Sequence, residues 1–175
     1  GLLLLIIFTR LLINASELEI SGYESCEELT GNNKFRDKLE SIRLKAGPLM
    51  NLGDVSNRVV PKMTIVSKAI NGGDINTRTF IPHNCHSSIG VLGAVSVASA
   101  CLYDDCITKV ICDIPEGLNK KISVEHPSGE FSVELTCEDV ENELVIKKAG
   151  LLRTARIISK GEAYPHQELI NKIKG

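Results

Sequence analysis

A chain of 175 residues suffices for one domain with an ordinary core, and 20 basic against 22 acidic residues leave a formal net charge of -2. So even a balance gives no electrostatic reason for a nucleic-acid partner; with no Trp and few, scattered aromatics, a base-stacking surface is also disfavoured. The 6 cysteines show no CxxC pair and no matching His spacing, which argues against a metal site, and several sit in apolar runs as small hydrophobes, pointing to a reducing, cytoplasmic setting.

Gly1 leads into the apolar run Leu2 to Phe8, which has no basic segment before it and no small-residue cleavage site after it, so a signal peptide is not expected. Arg10 interrupts it, and it is shorter than the roughly 20 residues a membrane-spanning helix requires. The expectation is no membrane association, with a buried strand or the damaged start of a longer chain there, continuing through Leu11 to Ala15. Asn14-Ala15-Ser16 matches the N-glycosylation acceptor pattern, which is short enough to arise by chance.

Ser25 to Leu29 reads as one helical turn stopped by Gly31. From Asn33, Phe35, Leu39, Ile42, Leu44 and Ala46 recur at helical spacing, with Asn32 or Asn33 as cap and Gly47-Pro48 as the stop. Lys34, Lys38, Glu40, Arg43 and Lys45 would form the solvated face of this outer amphipathic helix. Pro61 to Ser67 reads as a strand, Asn71-Gly72-Gly73-Asp74 as a turn, and Ile75 to Ile81 as an alternating strand.

The stretch Cys85 to Leu102 is apolar almost all round and built from small residues. A helix without a polar face belongs inside other structure, so this one is expected to be enclosed by strands. Ser87 or Ser88 would cap it, and its free N–H groups would favour a carboxylate or phosphate. Gly90 and Gly93 each cost about 1 kcal/mol against Ala within a helix, which suggests close approach of a strand or a ligand. The residues equally allow a plain serine cap beside a structural histidine.

Most of the remainder reads as strand. Lys109-Val110-Ile111 precedes a turn at 114–117, and Lys121 to His126 and Glu130 to Thr136 form a hairpin about Pro127-Ser128-Gly129. Glu143 to Lys147 and Leu151 to Ile158 supply two more strands, the second carrying Arg153 and Arg156. With no repeat and no linker, residues 1–175 read as a single α+β domain in which strands wrap a small-residue helix and an amphipathic helix packs outside.

Taken in order, Asp74-Ile75-x-x-Arg78, His86 and Ser88, Gly93-Ala94-Val95, Glu125 to Gly129, and Leu152 to Arg156 resemble the C-terminal half of the PrpF family. That family belongs to the diaminopimelate epimerase-like superfamily and includes methylaconitate and methylitaconate isomerases and oxalomesaconate tautomerases. The resemblance runs from about Ile13 to about Tyr164. It implies a two-half fold, each half a strand barrel around a central helix, with the active site where the two helix N-termini meet.

The resemblance further implies a cofactor-free 1,3-proton shift moving a double bond in a small unsaturated di- or tricarboxylate. The family's acid/base Cys and assisting Lys lie in the other half, so the N-terminal half of the same enzyme is the implied partner, and the half-enzyme cleft is a surface for self-association into a homo-oligomer. Carried over onto this chain, Arg78 would pair with or orient a carboxylate, His86, Ser87 and Ser88 would be helix-terminal contacts, and Ser128 and Gly129 would form the opposing turn supported by His126.

Two departures stand out. Leu92-Gly93-Ala94 replaces the usual Thr-Gly-Ala, and residues 1–10 lack the expected Gly-Asn-Pro type of turn. The thiol of a two-cysteine epimerase would fall at Gly90, whereas Cys85 precedes the helix, which favours isomerase or tautomerase chemistry. A second reading stays open: a non-catalytic ligand-binding or assembly domain of the same fold, since no complete acid/base pair is encoded.

Overall fold

The structure, a computed structural model, describes residues 9–141, 143–151, 156–162 and 164–165. The strands are β1 (Arg10–Asn14), β2 (Lys62–Ser67), β3 (Ile75–Phe80), β4 (Cys85–His86), β5 (Asn119–His126), β6 (Gly129–Val140) and β7 (Glu143–Leu151). The helices are α1 (Cys26–Gly31), α2 (Asn33–Leu49) and α3 (Val91–Ala100). One mixed sheet runs in the order β1-β2-β3-β5-β6-β7, and β4 also pairs with β3. β5 takes the first two residues of one edge of β3, and β4 takes the last two of the same edge.

Because α3 has no polar face, the sheet curls round it. Ala94, Val97, Ala98 and Cys101 pack with Val66, Ile75, Ile122, Val124, Val133 and Leu135, and α3 touches β1 as well as β5, β6 and β7. Among the described residues the pairing path is open, with β1 and β7 at its ends, so the enclosure is a curled half-barrel. On the other face, Phe35 and Leu39 of α2 and Leu29 of α1 cover Ile13, Met63, Ile65 and Phe80.

Burial from both sides explains why β3 differs from the expected half-exposed strand: all six of its residues are buried. Its polar side chains are consequently bonded internally. Asn76 Nδ2 donates to the Gly22 carbonyl and to Ser67 Oγ, and Thr77 Oγ1 donates to the Glu125 carbonyl.

α1 begins with a reciprocal capping box between Ser25 and Glu28, and Asn32 caps α2 by accepting from the Phe35 N–H. Gly47-Pro48 does not stop α2, which runs on to Leu49. Gly47 serves close packing instead, since a Cβ there would lie 2.5 Å from Val55 Cγ2. Nor is Arg43 on a solvated face. It is 1% exposed, paired with Glu40, and donates through Nη1 to the carbonyls of Arg58 and Val60, while Leu44 is the exposed neighbour.

α3 starts at Val91 rather than at the serines. Its N-cap is Gly90, with no side-chain cap bond, because Cys85 and His86 are drawn into β4. Residues 107–110 form a 3-10 turn instead of strand, and β6 extends the second arm of the hairpin to Val140. β7 ends at Leu151, and 156–158 are exposed and not in a strand; Arg153 and the Leu2 to Phe8 run lie outside the described residues. Among the described residues, no helix is long and apolar enough to cross a membrane.

Candidate active site

The N-terminus of α3 opens into a cavity of about 530 Å³ lined by Arg10, Lys62, Thr79, Ile81, His86 and residues 88–93. The first bond from the helix start is from the Ala94 N–H to the Gly90 carbonyl, so the N–H groups of Val91, Leu92 and Gly93 have no acceptor within the helix. The residues that carry these donors, at the positive end of the helix dipole, line the cavity together with Arg10, Lys62 and His86. Among the described residues, no Asp or Glu lines it. Such a wall can hold an anion and favour negative charge developing on it.

Strand alternation places Arg10 there. Arg10 and Leu12 point to the α3 side of β1 and Ile13 to the α2 side, and register sets β1 beside β2. Arg10 is 7% exposed, and burial lowers its pKa to about 10. Its Nη1 donates to the hydroxyls of Thr64 and Thr79, which sit opposite each other on β2 and β3. In the amino-acid order Arg10 is merely a break in an apolar run, and the reading from sequence misses it as a site residue. A lone charge opening a buried strand is the signal that could have found it.

The predicted residues divide between this cavity and a second one. His86 and Ser88 line the first. Arg78, His126 and Gly129 line another cavity of about 390 Å³ together with Tyr23, Asn76, Glu125 and Glu130. Arg78 faces away from Arg10, because residues 76, 78 and 80 of β3 share the α2 side and residues 75, 77 and 79 the α3 side. Its guanidinium is occupied: Nε donates to the Glu24 carbonyl, Nη1 to Asn76 Oδ1 and the Thr77 carbonyl, and the group sits 5.4 Å from the centre of the Tyr23 ring.

Ser87 and Ser128 join the two regions. The Ser87 carbonyl accepts from both the N–H and the Oγ of Ser128, the latter at 2.7 Å, and His126 Nδ1 lies 3.3 Å from Ser128 Oγ. Burial lowers the His126 pKa, and its ring packs 5.0 Å from that of Phe131. Gly129 starts β6 at φ +145, a conformation reserved largely for glycine. Ser128 and His126 thus tie the β5–β6 turn to the loop before α3.

Glu125 is satisfied inside the second cavity. Burial alone would raise its pKa, but the Tyr23 hydroxyl and the amides of Gly73 and Asn71 hold it below the usual value. Cys85 lines neither cavity, and burial, with Cys26 beside it, pushes its thiol well above the ordinary value. A thiol held protonated in that way is poorly suited to act as a base.

The model of the PrpF protein family matches residues 6–166. The chain is 51% identical over 150 residues to the 4-oxalomesaconate tautomerase of Pseudomonas putida, covering 86% of this chain and 40% of that protein. It is 45% identical over 152 residues to the (4E)-oxalomesaconate Delta-isomerase of a Novosphingobium strain, covering 87% of this chain and 42% of that one. The fold matches the crystal structure of a methylitaconate-delta-isomerase at a TM-score of 0.65 and 14% identity, over 90% of this chain and 48% of that one. The chain therefore spans about two fifths of the length of these curated relatives.

Proposed function

The chain belongs to the PrpF family, and on that basis we propose that it is the binding and polarising half of a cofactor-independent isomerase. The reaction is a 1,3-proton shift that moves a carbon–carbon double bond in a small unsaturated di- or tricarboxylate. A base removes a proton from carbon beside a carboxylate, the π electrons move one position along, and an acid returns a proton at the far carbon. Nothing is gained or lost overall.

The observation that carries this reading is the α3 cavity: Arg10, Lys62 and His86, three helix N–H groups without an acceptor in the helix, and no carboxylate among the described lining residues. Negative charge delocalised into the substrate carboxylate during proton removal is stabilised by donors already fixed in place. His86 and Ser88 contact the substrate at the helix end. Ser87, Ser128, His126 and Gly129 hold the loop that carries them, and Arg78 braces the strand beneath.

The acid and base come from the other half of the enzyme, which is the chain's natural partner. The names of the relatives favour an oxalomesaconate-like acid as substrate. The working setting is the reducing cytoplasm, consistent with six cysteines that are all free.

Deuterium exchange by NMR tests this. The chain would be incubated in D2O with oxalomesaconate, methylitaconate and methylaconitate, alone and fused to the first half of the Pseudomonas putida tautomerase. Exchange and double-bond movement in the fusion only are expected, with His86→Ala reducing the rate. Absence of exchange in a folded fusion would favour the second reading, a ligand-binding domain without catalysis.

A further inference from the structure

Arg10 is a buried cation set against the positive end of a helix. Gly93 makes that approach possible, since a Cβ there would lie 2.6 Å from Arg10 Nη2 and 3.0 Å from Cζ. Two like charges brought together away from water repel unless something negative accompanies them. Among the described residues Arg10 has no acidic partner. Its hydrogen bonds run only from Nη1 to neutral hydroxyls, and its Nε is buried without an acceptor.

We propose that Arg10 and the first turn of α3 form a carboxylate clamp, in which one substrate carboxylate bridges Nη2 of the Arg10 guanidinium and the N–H groups of Val91, Leu92 and Gly93. The proposal rests on the carboxylate reading of the cavity given above and adds the residue that selects the anion. The donor set suits a carboxylate, because its two oxygens can accept from a charged Nη2 on one side and from helix N–H groups on the other. Thr64 and Thr79 fix the guanidinium by engaging Nη1, and with Nε buried this leaves Nη2, the nitrogen beside Gly93, to meet the ligand. Gly93 is the second specificity element: any side chain there would push the cation off the helix.

The test uses the isolated chain with propane-1,2,3-tricarboxylate, an unreactive probe, and its neutral triamide as control. In 15N NMR titrations the acid is expected to shift the backbone amides of residues 91–93 and the side-chain Nε–H of Arg10, while the triamide shifts neither. Arg10→Gln is expected to weaken binding by about tenfold or more, the scale of a lost charge-assisted bond, and Gly93→Ala to weaken it while keeping the charge. The Nε–H reading needs no mutation, so it stands even if either variant fails to fold.

Helix amides that shift without the Arg10 Nε–H would overturn the clamp and leave the carboxylate reading standing. A cavity silent to the tricarboxylate, or one that answers equally to the triamide, would overturn both.

Discussion

Glu125 is 4% exposed and takes four hydrogen bonds: from the Tyr23 hydroxyl, the Asn71 and Gly73 amides, and Asn71 Nδ2. Its pKa is below the ordinary 4.5, so the native carboxylate binds its proton more weakly than the unfolded one does. The stability it contributes is present above pH 4.5 and is lost as pH falls through the lower native value. Glu24 and Glu40, also lowered, act in the same direction. His126, lowered by burial from 6.5, adds an earlier loss, because the unfolded chain gains its proton first as pH drops below that value.

Urea midpoints measured across pH 3 to 8 are therefore expected to decline gently below about 6.5 and steeply below about 4.5. Glu125→Gln is expected to cost about 1–3 kcal/mol at pH 7, the cost of leaving buried donors unpaired, and to flatten the acid limb. An unchanged acid limb in that variant would assign the acid sensitivity to other carboxylates.

Among the outer helices, two glycines make opposite predictions from one chemical change. In α1, a methyl added at Gly31 meets nothing within 4 Å and the backbone geometry is ordinary, so Gly31→Ala is expected to stabilise by about 0.5–1 kcal/mol. In α2 the same change at Gly47 gains about as much intrinsically but drives a methyl into Val55, at a cost of about 1–3 kcal/mol for overpacking, so net destabilisation is expected. Chemical denaturation of the two variants checks both signs. Gly47 resembles a stop signal in the sequence because glycine's weak helix propensity is visible there, whereas the valine eight residues later that occupies the missing side chain's space is not.

Taken as a body, the described residues form a sheet open at β1 and β7 and a cavity mouth that shows apolar side chains, with Leu92 59% and Val91 39% exposed. In a two-half enzyme the other half would cover this mouth. Joining the first half of the Pseudomonas putida tautomerase is expected to slow hydrogen exchange at Val91, Leu92 and Gly93 by about tenfold or more, one decade for each 1.4 kcal/mol of added local stability. Amides that exchange equally fast in the fusion would place the partner elsewhere.

Most element types and the enclosure of α3 are legible in the amino-acid order, because both follow from local periodicity and from the absence of a polar face on Cys85 to Leu102. The hairpin about Ser128 is legible in the same way, and the family is legible as a resemblance in the order of its motifs. Which charges are buried, and which face each one reaches, emerges only when the chain is folded. Arg43 reads as solvated until α2 is seated on the carbonyls of Arg58 and Val60, and Arg78 reads as a cavity residue beside His86 until pairing turns it to the other side of β3. Arg10 reads as an interruption until β1 is laid beside β2. The reason is physical: periodicity is a property of a few neighbouring residues, whereas the surroundings of a long cationic side chain are set by strand register and by partners distant in the chain, 15 and 17 residues away for Arg43 and 54 and 69 for Arg10.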